Sequence, residues 1–374
     1  MVGVYIHIPF CRKKCLYCDF PSYGGVEKLL GPYVTALCRE IEAFPGAEEG
    51  VDTIYFGGGT PSLLTIPQVD AILSAVRKRF SVTKDAELTL EANPDSFDAA
   101  YAKALSGLGV NRLSLGIQSF QDSLLRALGR LHTGQMGKKA VEAAHAGGIT
   151  NVSADLMFGL PAQTLDLLKS DLSDLLSLGL THASIYSLIV EEHTMLWDGL
   201  RRHQVVLPHE EQVNAMAELV WASMADGGFE HYEISSYCQP GFSSVHNSKY
   251  WKYDEYIGFG ASAHSFYGNR RFSNLDNIYN YIKHAGNESI LHEDVVISND
   301  RAMEDFCFLA LRMKEGLDYN AFQKRFGLSI EGVFGSVLTR LFKQELLSRT
   351  RTGCTLSKKG FVYGNYVFSQ FIRE

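Results

Sequence analysis

Several features are scarce in this chain, and each absence removes a class of protein. No apolar run among its 374 residues approaches the roughly 20 that a membrane-spanning helix needs. The start shows no basic segment followed by a long apolar stretch, so no signal peptide is expected. Cations are not in excess. Lys and Arg number 35 against 42 Asp and Glu, a net charge of −7, which argues against a polycationic nucleic-acid binder. There is no internal repeat beyond a strand–helix unit and no low-complexity tract. Of seven cysteines, Cys38, Cys238, Cys307 and Cys354 are scattered, which is no disulfide framework and suits a reducing compartment. A soluble, cytoplasmic protein is expected, long enough for one large domain and a small one.

What is present is concentrated near the start. Cys11, Cys15 and Cys18 form a C-x3-C-x2-C cluster behind the strand-like run Val2–Ile8. Three thiolates can hold three irons of a cubane and leave the fourth iron without a protein ligand, an open position where chemistry happens. Ferredoxin spacings differ and supply a fourth Cys. Zinc with His7 as fourth ligand is the alternative metal. Three purely structural thiols would not crowd a loop that also holds Arg12, Lys13 and Lys14.

Strand-like and helix-like stretches then alternate. Val2–Ile8, Val51–Phe56, Ala86–Leu90, Asn111–Ile117, Asn151–Met157 and His182–Leu188 read as strands. Tyr33–Ala43, Gln68–Phe80, Ala99–Leu108, Lys138–Ala146 and Leu165–Leu178 read as helices between them. Such alternation predicts parallel strands with crossover helices. Five of the six strands end in polar or Gly-rich segments, and in a β/α barrel those ends share one site. A seventh strand over His231–Ser236 is expected after a helix at Glu211–Asp226. The expected fold class is therefore α/β, an incomplete (β/α) barrel with a small C-terminal helical domain of winged-helix outline. The barrel takes residues 1–236, a long loop or linker region 237–297, and the small domain 298–374. That last part carries 12 Lys and Arg against 8 Asp and Glu from residue 300 on, too small an excess for DNA binding, so a lid or docking module is expected.

The Cys spacing, the YIHIPFC lead-in (Tyr5–Cys11) and the CDF exit (Cys18–Phe20) resemble the radical S-adenosylmethionine superfamily. Within it they are similar to the branch of oxygen-independent coproporphyrinogen III oxidase and the bacterial heme chaperones. The resemblance implies a 4Fe–4S cluster on Cys11, Cys15 and Cys18, with the open iron chelated by S-adenosylmethionine. One electron from the reduced cluster would then cleave the sulfonium to methionine and a 5′-deoxyadenosyl radical. By the same resemblance Tyr5, Gly59, Thr60, Glu91, Gln118, Arg130 and Asp155 contact S-adenosylmethionine, and Tyr17 lies near its adenine. The residues themselves say less. Gly57-Gly58-Gly59-Thr60-Pro61 is a tight βα turn that allows close backbone approach. Glu91 at a strand end suits ribose hydroxyls.

Two features separate the members of that branch. The oxidases carry a fourth Cys two residues after the third, where Phe20 stands here, and a sizeable N-terminal extension, whereas this sequence begins four residues before Tyr5. His246-Asn247-Ser248-Lys249-Tyr250-Trp251 fits the HNxxYW motif associated with heme in the chaperones. The expectation is that His246 ligates heme iron, with His264 as a second candidate, while Lys249 meets a propionate. The expected function is heme delivery to acceptors such as respiratory membrane enzymes, with heme as a further ligand and a homodimer implied by the resemblance. The alternatives are coproporphyrinogen oxidation, or another radical reaction on a tetrapyrrole, so enzymatic activity is left open.

Overall fold

The computed structural model describes residues 1–45, 50–287 and 290–373. Six strands run parallel in chain order, each paired with the next: β1 (Val2–Ile8), β2 (Val51–Gly58), β3 (Val82–Ala92), β4 (Arg112–Gln118), β5 (Asn151–Phe158) and β6 (His182–Ser187). Val4, Ile6 and Ile8 of β1 are fully buried, as expected of a parallel strand covered on both faces. The crossovers are α1 (Leu30–Ala43), α2 (Ile66–Arg79), α3 (Ala99–Gly107), α4 (Gly134–Ala146) and α5 (Leu165–Ser177). Local chemistry sets their starts. Thr65 and Gln68 form a capping box before α2, and Asp98, Thr133 and Thr164 accept first-turn N–H groups of α3, α4 and α5.

Beyond β6 come α6 (Glu210–Asp226), β7 (Glu230–His231), β8 (Ser236–Cys238) and α7 (Val245–Trp251). They are followed by β9 (Tyr256–Phe259), β10 (His264–Tyr267), β11 (Arg270–Asn274) and β12 (Leu291–Val296). The sheet is open, in the order β12-β11-β10-β9-β1-β2-β3-β4-β5-β6-β8-β7. This is the incomplete barrel that the alternation predicts.

Two expectations are corrected. No seventh parallel strand spans His231–Ser236. Two short strands lie there instead, and β8 runs antiparallel to β6. The seventh parallel strand is β9, which pairs with β1 on the opposite edge. Residues 237–297 are accordingly not a long loop: they supply α7 and four strands of the main sheet. Buried Glu40 of α1 fastens that extension, accepting from the Gly260 N–H at 2.9 Å, Asn274 Nδ2 at 2.6 Å and the Tyr281 hydroxyl. Burial raises its carboxyl to about 7.

The C-terminal part holds α8 (Asn299–Ala310), α9 (Tyr319–Phe326), α10 (Ile330–Lys343) and a hairpin of Leu347–Arg349 with Gly353–Leu356. Gly327 ends α9 in the left-handed region, at φ 72°. Phe306, Phe322, Phe334, Leu341 and Phe371 form its core, joined by Tyr253 and Phe266 of the sheet extension. Among the described residues no helix is long and apolar enough to cross a membrane.

Candidate cofactor site

A cavity of about 630 Å³ opens at the C-terminal ends of the parallel strands. Of the twelve residues singled out from sequence, ten line it: Cys11, Cys15, Tyr17 and Cys18 from the loop after β1, Gly59 and Thr60 after β2, and Glu91, Gln118, Arg130 and Asp155 from β3, β4, the segment after β4 and β5. Residues far apart in the chain converge because every parallel strand points the same end at one mouth.

The Gly triplet is required by packing. A Cβ on Gly58, where φ is 110°, would lie 2.6 Å from the His7 ring, and one on Gly59 would lie 2.7 Å from the Phe10 carbonyl oxygen. The Gly59 N–H donates to the Ile8 carbonyl at 2.9 Å. The glycines thus press this turn against the root of the cysteine loop. The next residue exploits that closeness: Thr60 Oγ1 stands 3.6 Å from Cys11 Sγ. Across the loop Arg130 Nη1 stands 3.5 Å from Cys15 Sγ, while its Nη2 donates to Asn93 Oδ1 at 2.7 Å and to the Gly116 carbonyl. Donors aimed at ligand sulfurs draw electron density from them, which is one way a protein tunes a cluster.

Glu91 is held from both sides. The Tyr55 hydroxyl donates to Oε1 at 2.7 Å and the Gly58 N–H to Oε2 at 3.2 Å. Burial still lifts its carboxyl to about 7, and that of Asp155 to about 6, with the Ser114 hydroxyl 3.2 Å from Asp155 Oδ1 countering. Gln118 sits at a register shift between β4 and β5 with φ 69°, a backbone conformation that side chains seldom adopt and that gathers at functional sites. Its Oε1 accepts from the Tyr186 hydroxyl at 3.0 Å.

Sequence reasoning missed Arg112. It is 1% exposed, it lines the cavity, and its Nε and Nη1 have no hydrogen-bond partner. The nearest carboxylate oxygen, Glu87 Oε2, is 3.9 Å from Nε. Arg130 Nε is likewise unpartnered. The available signal was a cation at the start of a largely apolar parallel strand, since Arg is rarely buried whole. Asn93, Tyr55 and Tyr186 also line the cavity without having been singled out, and Asn247 of the HNxxYW segment lines it too.

Two expected site residues are elsewhere. Tyr5 does not line the cavity. Its hydroxyl bonds to His7 Nδ1 at 3.0 Å, and its ring stacks on those of Tyr55 and His246. His246, the expected heme ligand, is 1% exposed inside the barrel wall. Its Nδ1 is 2.8 Å from Thr53 Oγ1 and its Nε2 is 2.8 Å from the Tyr250 hydroxyl, so both ring nitrogens are engaged. Desolvation lowers its pKa to about 3, keeping the ring neutral. His182 is clamped in the same way, between the hydroxyls of Ser153 and Tyr232 at 2.7 and 2.8 Å. Lys249, expected at a propionate, is buried against Asp52 at 2.8 Å. In this conformation His246 and Lys249 of the HNxxYW segment are held by buried partners, while its Asn247 lines the cavity.

The donor set suits a cluster better than a single ion. Both His7 nitrogens are hydrogen-bonded, to Tyr5 and to the Pro21 carbonyl. Among the described residues no three His, Cys, Asp or Glu side chains gather where one ion would sit. A cubane places each thiol on a different iron and needs no such gathering.

Comparison with known proteins agrees with this geometry. Residues 5–175 match the radical SAM superfamily, and residues 297–363 match the HemN C-terminal domain. The heme chaperone HemW of Lactococcus lactis is 38% identical over 372 residues, which cover all of this chain and 97% of that one. Its Bacillus subtilis counterpart is 36% identical over 378 residues, covering the whole of both chains. The solved structure of coproporphyrinogen III oxidase (HemN) from Escherichia coli superposes with a TM-score of 0.86 at 22% identity, over 99% of this chain and 89% of that one, a likeness of fold. Matched end to end by such relatives, the chain belongs to the HemW family of radical S-adenosylmethionine proteins.

Proposed function

We propose that the protein is a heme chaperone, which binds heme and passes it to heme-dependent enzymes. The carrying observation is the end-to-end likeness to relatives named heme chaperones. Phe20, 67% exposed where the oxidases place a fourth cysteine, favours the carrier over the oxidase.

The radical SAM superfamily works with a 4Fe–4S cluster and S-adenosylmethionine. The residues present fit both. Cys11, Cys15 and Cys18 would hold three irons. Glu91 offers a carboxylate to ribose hydroxyls. The unpartnered guanidinium N–H groups of Arg112 and Arg130 suit a cofactor that carries a carboxylate. When bound, the pair supplies one-electron radical chemistry; the chain's own residues hold, orient and shield it. Acceptors of the respiratory kind, a homodimer and a cytoplasmic setting belong to the same proposal. The seven free cysteines suit a reducing compartment.

The test is made on cluster-loaded protein. Stoichiometric binding of ferric heme, transfer to an apo-acceptor, and no vinyl product from coproporphyrinogen III with S-adenosylmethionine and reductant are expected. Vinyl product formed in step with 5′-deoxyadenosine would overturn the carrier in favour of the oxidase.

A further inference from the structure

A second cavity, of about 340 Å³, lies at the seam between the barrel and the C-terminal part. It shares no lining residue with the cofactor cavity. Trp221 of α6 and His231 of β7 line it from the barrel, and Lys314, Leu356, Lys358 and Phe361 line it from the other side.

Its walls are aromatic and fixed. The Phe361 ring meets that of Trp221 edge-on, with centroids 5.8 Å apart at 87°, and that of His231 at 4.9 Å. His231 in turn stacks on Tyr237 at 4.4 Å and 11°, with its Nε2 3.2 Å from the Ile234 carbonyl oxygen. Burial lowers its pKa, so the imidazole is a neutral wall. The backbone around the cavity is tied in series. The Lys314 N–H donates to the Tyr232 carbonyl at 2.9 Å, and Thr355 Oγ1 donates to the Lys314 carbonyl at 3.0 Å. A Cβ on Gly316, where φ is 74°, would lie 2.2 Å from the Cys354 carbonyl oxygen, so the turn after Lys314 is pressed onto the hairpin. The cavity is therefore preformed, as small-molecule sites usually are.

Its unspent polar capacity is cationic. Lys314 and Lys358 are exposed, and the lysine ion pairs of the described residues are those of Lys78, Lys138 and Lys249. The other polar groups of the lining are already used. Buried Glu233 accepts the Ser235 N–H at 3.1 Å. The Ser357 hydroxyl donates to the Glu345 carbonyl at 2.6 Å and accepts the Gly360 N–H at 2.9 Å.

We propose that this cavity binds a planar aromatic anion, its rings against Trp221, His231 and Phe361 and its acidic group on Lys314 and Lys358. Flat rings pack edge-on or offset against such walls, and an ammonium meets a carboxylate or phosphate as a point charge. Because the walls come from both parts of the chain, an occupant ties them together and raises the melting temperature. The assignment does not rest on the chaperone reading.

The probe is 2-naphthoate, titrated calorimetrically into cluster-loaded protein. Wild type is expected to bind one equivalent, and to bind the uncharged 2-naphthamide about tenfold more weakly. Lys314→Glu and Lys358→Glu should each weaken naphthoate by about tenfold or more while changing naphthamide little. Lys343→Glu makes the same change of charge outside the cavity and should leave both affinities as they are. All three substitute exposed side chains, so their melting without ligand should match wild type. Phe361→Ala should weaken both ligands alike, with Trp221→Leu as the second variant should it fail to fold. Naphthoate binding that survives both lining-lysine substitutions, or no binding by wild type at millimolar ligand, would overturn the inference. Either failure would leave cluster loading and heme transfer untouched, and so the chaperone reading with them.

Discussion

Two regions of this molecule are dense in His, Tyr, Arg, Lys and carboxylates: the loops that follow the parallel strands, and helix α7 with its HNxxYW sequence. The strand-end loops turn such groups toward a cavity and leave some unsatisfied, as at Arg112 and Arg130. Helix α7 turns them inward and pairs them. His246 has two hydroxyl partners and Lys249 has Asp52. Residue type is therefore a poor guide to a site. An unspent hydrogen-bonding capacity facing a cavity is a better one, since a buried polar group without a partner is costly and persists only for a reason.

The sharpest way to test that contrast is to remove one group from each region. Cys15→Ala should abolish the cluster, read as loss of nearly all cluster iron and acid-labile sulfide, because each thiol carries an iron of its own. Cys38→Ala, in α1 and away from the cavity, should leave iron content unchanged. Equal iron loss in both would mean that the cavity thiols are not the ligands.

His246→Ala should act on stability. It removes a buried ring and strands the hydroxyls of Thr53 and Tyr250, a loss of roughly 2–4 kcal/mol. His182→Ala should behave alike, because its surroundings repeat the arrangement. Chemical denaturation measures both. If His246→Ala unfolds like wild type yet loses heme, the comparison drawn above is wrong and the sequence motif is right.

Glu40 offers a pH version of the same idea. Its folded-state pKa of about 7 lies above the ordinary 4.5 of an unfolded glutamate. The folded chain then holds that proton more tightly between the two values. The stability it contributes is complete below about pH 4.5 and is lost as pH rises through about 7. Glu91 and Asp155 are raised by burial and act in the same direction, so the informative quantity is the difference between wild type and Glu40→Gln. Glu40→Gln should flatten the profile by up to a few kcal/mol over that window. Parallel profiles would show that the sheet extension is not fastened through an ionising Glu40.

The sequence made the strand ends legible because each carried a short local signature on a periodic background: three cysteines, a Gly triplet, LEANP, GIQSF and ADLMF. Such signals need no knowledge of partners far away. Strand β9 was illegible for the opposite reason. It is four residues long, contains Gly258, and is a strand only because β1 pairs beside it. A Cβ at Gly258 would lie 2.2 Å from the His264 carbonyl oxygen, a tertiary reason for glycine that reads locally as a loop. The buried pairing of His246 was illegible for the same reason. Nothing in its neighbours along the chain announces Thr53, which lies 193 positions away.

The smallest effect concerns how α7 meets the C-terminal part. Arg312 lies 4.3 Å from the Trp251 ring centroid and 5.8 Å from that of Phe368. Its Nε is buried without a partner, so the aromatic faces are its main compensation there. Trp251→Phe keeps an apolar face but weakens the attraction, because indole is the best π partner for a cation. A loss of about 0.5–1 kcal/mol is expected, with heme binding and cluster content unchanged. Arg312→Leu in the Trp251→Phe background should then cost less than in wild type, since the two changes remove one shared contact. Strictly additive losses would mean that the final aromatic of HNxxYW does not hold the C-terminal part through Arg312. A changed heme spectrum in Trp251→Phe would return the motif to cargo binding.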